Sequence, residues 1–213
     1  MKTANQGHDP STANRHRNGL YTISGMAALV LGISFLSAML SLVTVGLRSS
    51  LASNWLIILF ELNAGFNGVQ FDQLYGPNLL DITLMTLVVV VYLGLYVALR
   101  QTSRLWSLIA AVMPLLGIVL FIVTKLAGRS AVMGAGIVIS FVMLRSNVFS
   151  KVIAFVGILA NVLLLVGDFG TTANSPSTMV AISIGIGYVL LLTWFFLIAR
   201  RLFWLRQTFS KWS

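Results

Sequence analysis

Apolar residues run through this chain in long blocks, and polar residues gather in the short gaps between them. The first block, Leu20 to Leu47, carries no charge over 28 residues. Later blocks run from Pro77 to Leu99, Leu105 to Thr124, Ser130 to Leu144, Val148 to Gly167 and Thr178 to Ala199. A helix crosses a hydrocarbon core of roughly 30 Å with about 20 apolar residues. The pattern therefore predicts an all-α fold, a polytopic transmembrane bundle of six spans. The fourth block is short, since 15 residues at 1.5 Å each cover only about 22 Å. Snorkelling of Arg129 would let that helix start earlier.

The gaps predict the remaining organisation. Residues 1–18 are polar and read as a disordered cytoplasmic tail. Arg15 and Arg17 ahead of an apolar run also suit a signal peptide, but the run is too long and has no small-x-small exit, so it reads as an uncleaved anchor. Residues 48–77 form the longest connection. There Leu51, Trp55, Ile58, Leu62 and Phe66 recur at helical spacing, which predicts an extra amphipathic helix at the outer interface. The Gly- and Asn-rich stretch 63–78 reads as a loop. If 51–66 crossed the membrane instead, the bundle would have seven spans, with Asn54 and Glu61 in hydrocarbon at a few kcal/mol for the carboxylate. Residues 19–199 form the predicted bundle, and 200–213 a basic amphipathic tail that suits anionic lipid. Trp194, Trp204, Trp212, Tyr92 and Tyr96 are expected near the inner half or inner face. Pro114 is expected to kink the third span. The turns at 100–110 and 145–154 share an Arg, a polar turn and an aromatic–Ser pair, which their common turn chemistry explains.

Charge gives the orientation. With the N-terminus inside, eleven of the fourteen Lys and Arg residues lie on the cytoplasmic side, and four of the five acidic residues lie outside. This is the positive-inside distribution, and both termini are then cytoplasmic. The chain has 213 residues, 58% hydrophobic and 9% charged, with a mean hydropathy of +0.94. Soluble domains carry about 25% charged residues, so the class is integral membrane protein. The net charge of +9 is spread over short gaps and makes no stripe for nucleic acid, which is not an expected partner.

With no cysteine, the chain has no disulfide, thiolate metal site or cluster ligand of its own. His8 and His16 both lie in the polar tail, so no histidine is placed to bind haem or zinc between spans. No catalytic motif, cofactor site or metal site is expected.

The candidate polar site is the outer minority of charges. Glu61, Asp72, Asp81 and Asp168 face Arg48, Lys125 and Arg129. Charges at the membrane edge pair or face protected water, so a pairing of Asp81 or Asp168 with Arg129 or Lys125 is expected. Asp81 falls in the first turn of its span, where the helix dipole favours an anion. Lys125, Gly128 and Arg129 read as a tight outer turn, and Asp168 to Ser177 as an outer loop. Asn161 stands alone deep in a span and is expected to hydrogen-bond a neighbouring helix. Small residues mark close helix contacts: Ser34, Ser37 and Ser41; Ser130 with Gly134; Gly136 with Ser140; Ala154, Gly157 and Asn161; Ala181 with Gly185; Ser183 with Gly187. The same Gly and Ser faces would suit a homodimer or a larger membrane complex in the lipid bilayer.

The segment MLRSNVFSKVIAFVGILANVLLL (143–165) resembles one that recurs in uncharacterised bacterial multi-pass membrane proteins of the domain-of-unknown-function kind. Tyr21–Thr22 and the helix order are compatible with them. The resemblance covers the last half of the chain. It implies a bacterial inner-membrane setting, assigns no activity and carries over no functional residue. Two functions are compatible with the chain. One is a non-enzymatic accessory, scaffold or sensor subunit. The other is a small-solute or ion transporter or channel with an outer-facing polar vestibule. A pocket joining the outer charges to Asn161 would favour transport, and a dry core the accessory role.

Overall fold

The structure, a computed structural model, describes residues 10–48, 79–123, 125–171 and 178–210. Side chains are described for most of these residues, but not for 10–17, 38–39, 41–48, 79–82, 122–126, 171, 178, 181 or 209–210. The described residues form six helices: α1 (Pro10–Arg48), α2 (Leu79–Leu99), α3 (Arg104–Val123), α4 (Lys125–Arg145), α5 (Lys151–Thr171) and α6 (Thr178–Ser210). Five contain windows long and apolar enough to cross a membrane, and the sixth, α2, is apolar over Thr83–Leu99. The architecture is an all-helical bundle whose apolar helices fit a membrane protein.

Helix boundaries depart from the sequence expectation where polar residues were taken as breaks. Lys125, Gly128 and Arg129 do not form a turn but lie in the first turns of α4, so this helix has 21 residues and covers about 31 Å. Asp168 likewise belongs to the last turn of α5, not to a loop. In both cases the cause is pairing between the helices, described below, which lets the charges remain on helical backbone. α1 begins at Pro10, inside the stretch expected to be irregular; proline suits the first helical turn because its missing N–H would have no partner there. α6 runs to Ser210 without a break at Arg200, and Leu202 and Leu205 are buried, so this stretch packs as part of the bundle. α3 stays helical on both sides of Pro114. The expected amphipathic helix at 51–66, with its seven-span alternative, lies outside the described residues.

The short turns at 100–103 and 146–150 make successive helices antiparallel. Ser146 N–H donates to the Met143 carbonyl, and Ile153 N–H to Ser150 Oγ, which caps α5. Each helix packs on its neighbours in sequence, and α1 closes against α6. The result is a ring of six helices. Glycines set several of the seams. On α1, Gly25 receives the ring of Phe203 and Gly32 that of Phe196. On α6, Gly187 receives Leu164, while Ile184 packs on Gly167 of α5. Gly117 of α3 and Gly128 of α4 meet backbone to backbone, and a Cβ at Gly128 would lie 2.7 Å from the Gly117 carbonyl oxygen. Ser24 Oγ of α1 donates to the Val90 carbonyl of α2 at 2.8 Å. Of the serines expected at an α1 contact, Ser34 is partly buried and Ser37 exposed, with the Ser37 hydroxyl donating to the Ser34 carbonyl. Glycine serves the seams at Gly25 and Gly32 because an aromatic ring sits directly on its backbone there.

Candidate functional site

Three rungs in register join α4 to α5. Arg129 Nη2 contacts Asp168 Oδ1 at 2.6 Å. Seven residues further along α4 and seven back along α5, the amide of Asn161 lies on Gly136. Four further, the hydroxyl of Ser140 lies against Gly157. Steps of seven and four residues are two and about one turns of an α-helix, so all three rungs fall on one face of each helix and the two faces oppose each other.

The first rung is the expected pairing of Asp168 with Arg129. Asp168 is 2% exposed and Arg129 15%. A charge taken out of water is costly unless paired, and each of these residues meets that need for the other. Tyr188 of α6, also buried, stands within electrostatic reach of both charges. Glu61 and Asp72 lie outside the described residues. Asp81 and Lys125 lie on helical backbone in the first turns of α2 and α4, with side chains outside the described set.

The second rung corrects an expectation. Asn161 Nδ2 donates to the Gly157 carbonyl of its own helix at 2.7 Å, not to a neighbouring helix. The partner face at this level is Gly136, which has no side chain to offer, so the amide turns back along α5. At the third rung the indole of Trp194 joins Ser140 over Gly157. Both side chains are fully buried, and neither the indole N–H nor the hydroxyl finds a protein hydrogen-bond partner.

Inside the ring, beside these rungs, is a chamber of about 130 Å³. All six helices contribute to its wall, among them Phe35 of α1, Tyr92 of α2, Phe121 of α3, Arg129 of α4, Asn161 of α5 and Trp194 of α6. Among the described residues Arg129 is the one charged residue in the wall, which is otherwise mostly aliphatic and aromatic. Phe35 stacks on Phe195, with ring centroids 6.0 Å apart. Toward the end of the bundle that carries the two short turns, the interior closes: Leu95, Leu99, Ile139, Met143, Ile198 and Leu202 are all fully buried there.

Tyr92 and Trp194, expected near the inner half or inner face, are 1% and 0% exposed and form part of the chamber wall. Position along a span does not reveal which side of the helix faces inward. The signal that could have found Trp194 is Gly157, a small residue on the opposing helix that leaves room for an indole. Trp204, by contrast, is 48% exposed.

Among the described residues no group of three His, Cys, Asp or Glu side chains comes together. The arrangement can receive a small apolar molecule, and it can hold one charge pair away from water. No family model matches this chain, and no curated protein or solved structure matches it either.

Proposed function

We propose that this protein is a non-enzymatic membrane subunit of the accessory or sensor kind, and that its chamber receives a small apolar molecule or a short acyl segment. The observation that carries this reading is a chamber walled by all six helices, mainly apolar, whose single cation is already answered by Asp168. An enclosed apolar cavity of about 150 Å³ takes up a molecule the size of benzene, and this chamber, though half open, has a similar volume. A ligand touching six helices would couple its occupancy to their mutual packing, which is what a sensor needs.

Binding can be read from Trp194 in a variant whose other tryptophans, Trp55, Trp106, Trp204 and Trp212, are phenylalanine. Bromobenzene should quench the remaining emission saturably, and Val88→Phe, which fills the wall from α2, should abolish saturation. Quenching that rises linearly with concentration in both proteins would rule the chamber out as a binding site.

Transport is the second reading, supported by the way the chamber joins Arg129 to Asn161 near mid-span, the depth at which transporters hold substrate. Against it stands the dense packing between the chamber and the turn-bearing end. A solute or ion flux in proteoliposomes that Asp168→Asn abolishes, with the protein still folded, would replace the accessory reading with transport.

The proposed setting is a bacterial inner membrane with both termini cytoplasmic. It is supported by the clustering of Arg100, Arg104, Arg145, Lys151, Arg200, Arg201 and Arg206 at one end of the ring. The chain has no native cysteine, so single cysteines at Ser103 and Asn174 can be labelled from either side with an impermeant thiol reagent. Labelling of Ser103→Cys from outside intact cells would reverse the orientation.

A further inference from the structure

At the turn-bearing end, where α5 begins beside the last third of α6, a groove of about 490 Å³ lies open. We infer that it is a binding site for the phosphate group of an anionic lipid, with Arg200 and Arg201 as its cationic partners. Asn147 and Ser150 line one side and Arg200 and Arg201 the other, while Val152 and Trp204 form an apolar lip.

Arg201 is held as a fixed part of the wall. Its Nε–H donates to the Val148 carbonyl at 2.6 Å, and its guanidinium lies 4.1 Å over the Trp204 ring. Both contacts hold the guanidinium plane, and its remaining N–H donors can meet phosphate oxygens in a fork. An arginine fixed in this way loses little rotamer freedom on binding. Arg200 is exposed beside it.

The charge is one-sided. The single carboxylate among the described side chains is Asp168, paired with Arg129 at the opposite end of the bundle. The groove therefore presents two guanidinium groups with no described acid near them. Lys151, the first residue of α5, adds a third cation close by.

The apolar lip selects a lipid over a free anion. Val152 is 66% exposed and Trp204 48% exposed, and both line the same groove as the arginines. An inorganic phosphate would leave that surface uncovered. A lipid phosphate at the arginines would place its acyl chains along it. Basic pockets between transmembrane helices take anionic headgroups in this manner.

The test uses the full chain in detergent, with its unfolding temperature followed as lipid is added. Phosphatidylglycerol should stabilise the protein saturably, and phosphatidylcholine should not. In Arg200→Gln/Arg201→Gln the half-saturating concentration of phosphatidylglycerol should rise about tenfold or more, given roughly 1 kcal/mol for each cation. If the double variant does not fold, Arg200→Gln alone should still raise it about fivefold, since that side chain is exposed. Arg104→Gln, on α3 at the same end but outside the groove, should behave as the unaltered chain. The site is overturned if the double variant binds unchanged, if Arg104→Gln weakens binding equally, if phosphatidylcholine does as well, or if inorganic phosphate alone gives the full stabilisation.

Discussion

The side-chain amide of Asn161 lies directly on the backbone of Gly136, and a methyl group at that position would collide with it. Asn161 is 3% exposed and tied to the Gly157 carbonyl, so it has nowhere cheap to turn. Gly136→Ala should therefore cost about 1–3 kcal/mol, the usual range for overpacking a dense core. Adding Asn161→Ala should return part of that loss, and a double-mutant cycle on thermal unfolding measures the coupling. Strictly additive losses would show that the two residues do not compete for one space.

The ion pair predicts a coupling of the same sign from a different cause, charge in place of volume. Asp168→Asn leaves Arg129 buried beside a neutral partner, and Arg129→Met leaves a buried carboxylate. Either change should cost about 3–5 kcal/mol, whereas Arg129→Met/Asp168→Leu should recover most of it, because an apolar pair carries no desolvation penalty. Unfolding in the same detergent compares all three. A double variant as unstable as the worse single one would show that the pair does more than answer its own charge.

Two glycines about one and two-thirds turns apart on α4 should behave differently. A Cβ at Gly128 would sit 2.7 Å from both the Phe121 Cα and the Gly117 carbonyl oxygen, neither of which can rotate away. At Gly134 the one near atom is the Met113 methyl, at 3.2 Å, the end of a flexible side chain. Gly128→Ala should thus lower the unfolding temperature markedly. Gly134→Ala should be neutral or mildly stabilising, since alanine has the better helix propensity by about 1 kcal/mol.

Much of this was legible in the sequence, and the failures share a cause. Apolar blocks located all six described helices, because the bilayer imposes a length that few other constraints mimic. Small residues at Gly136, Ser140, Gly157 and Asn161 marked the right faces of α4 and α5, and the outer charges marked a pair. What the pattern did not show is that these belong to one seam. Arg129 and Asp168 were placed in connections, since an isolated charge looks like a helix break; their mutual register makes them helical. Gly25 and Gly32 were passed over, and Gly128 was taken for part of a turn, for a similar reason. A glycine announces close approach only when the aromatic ring or backbone that enters its space is known.

The chamber residues were the least legible. Tyr92, Trp194 and Phe35 are apolar positions among many, and only the closed ring brings them to one place.

Arg201 yields a prediction about the turn it touches. Arg201→Lys keeps the charge but loses the planar Nε–H donor to the Val148 carbonyl. Amide hydrogen exchange should rise at 146–150 while the remaining helices stay protected. Unchanged protection at the turn would mean that Ser150 and the Ser146–Met143 bond suffice to hold it.

Closure of the ring makes α6 the keystone of the described bundle. It packs against both α1 and α5 and supplies Tyr188, Trp194 and Phe195 to the chamber. The rings of Phe203 and Phe196 that fill the notches at Gly25 and Gly32, and the indole over Gly157, all come from this one helix. Without α6 the other described helices would keep their mutual seams and lose their shared inside.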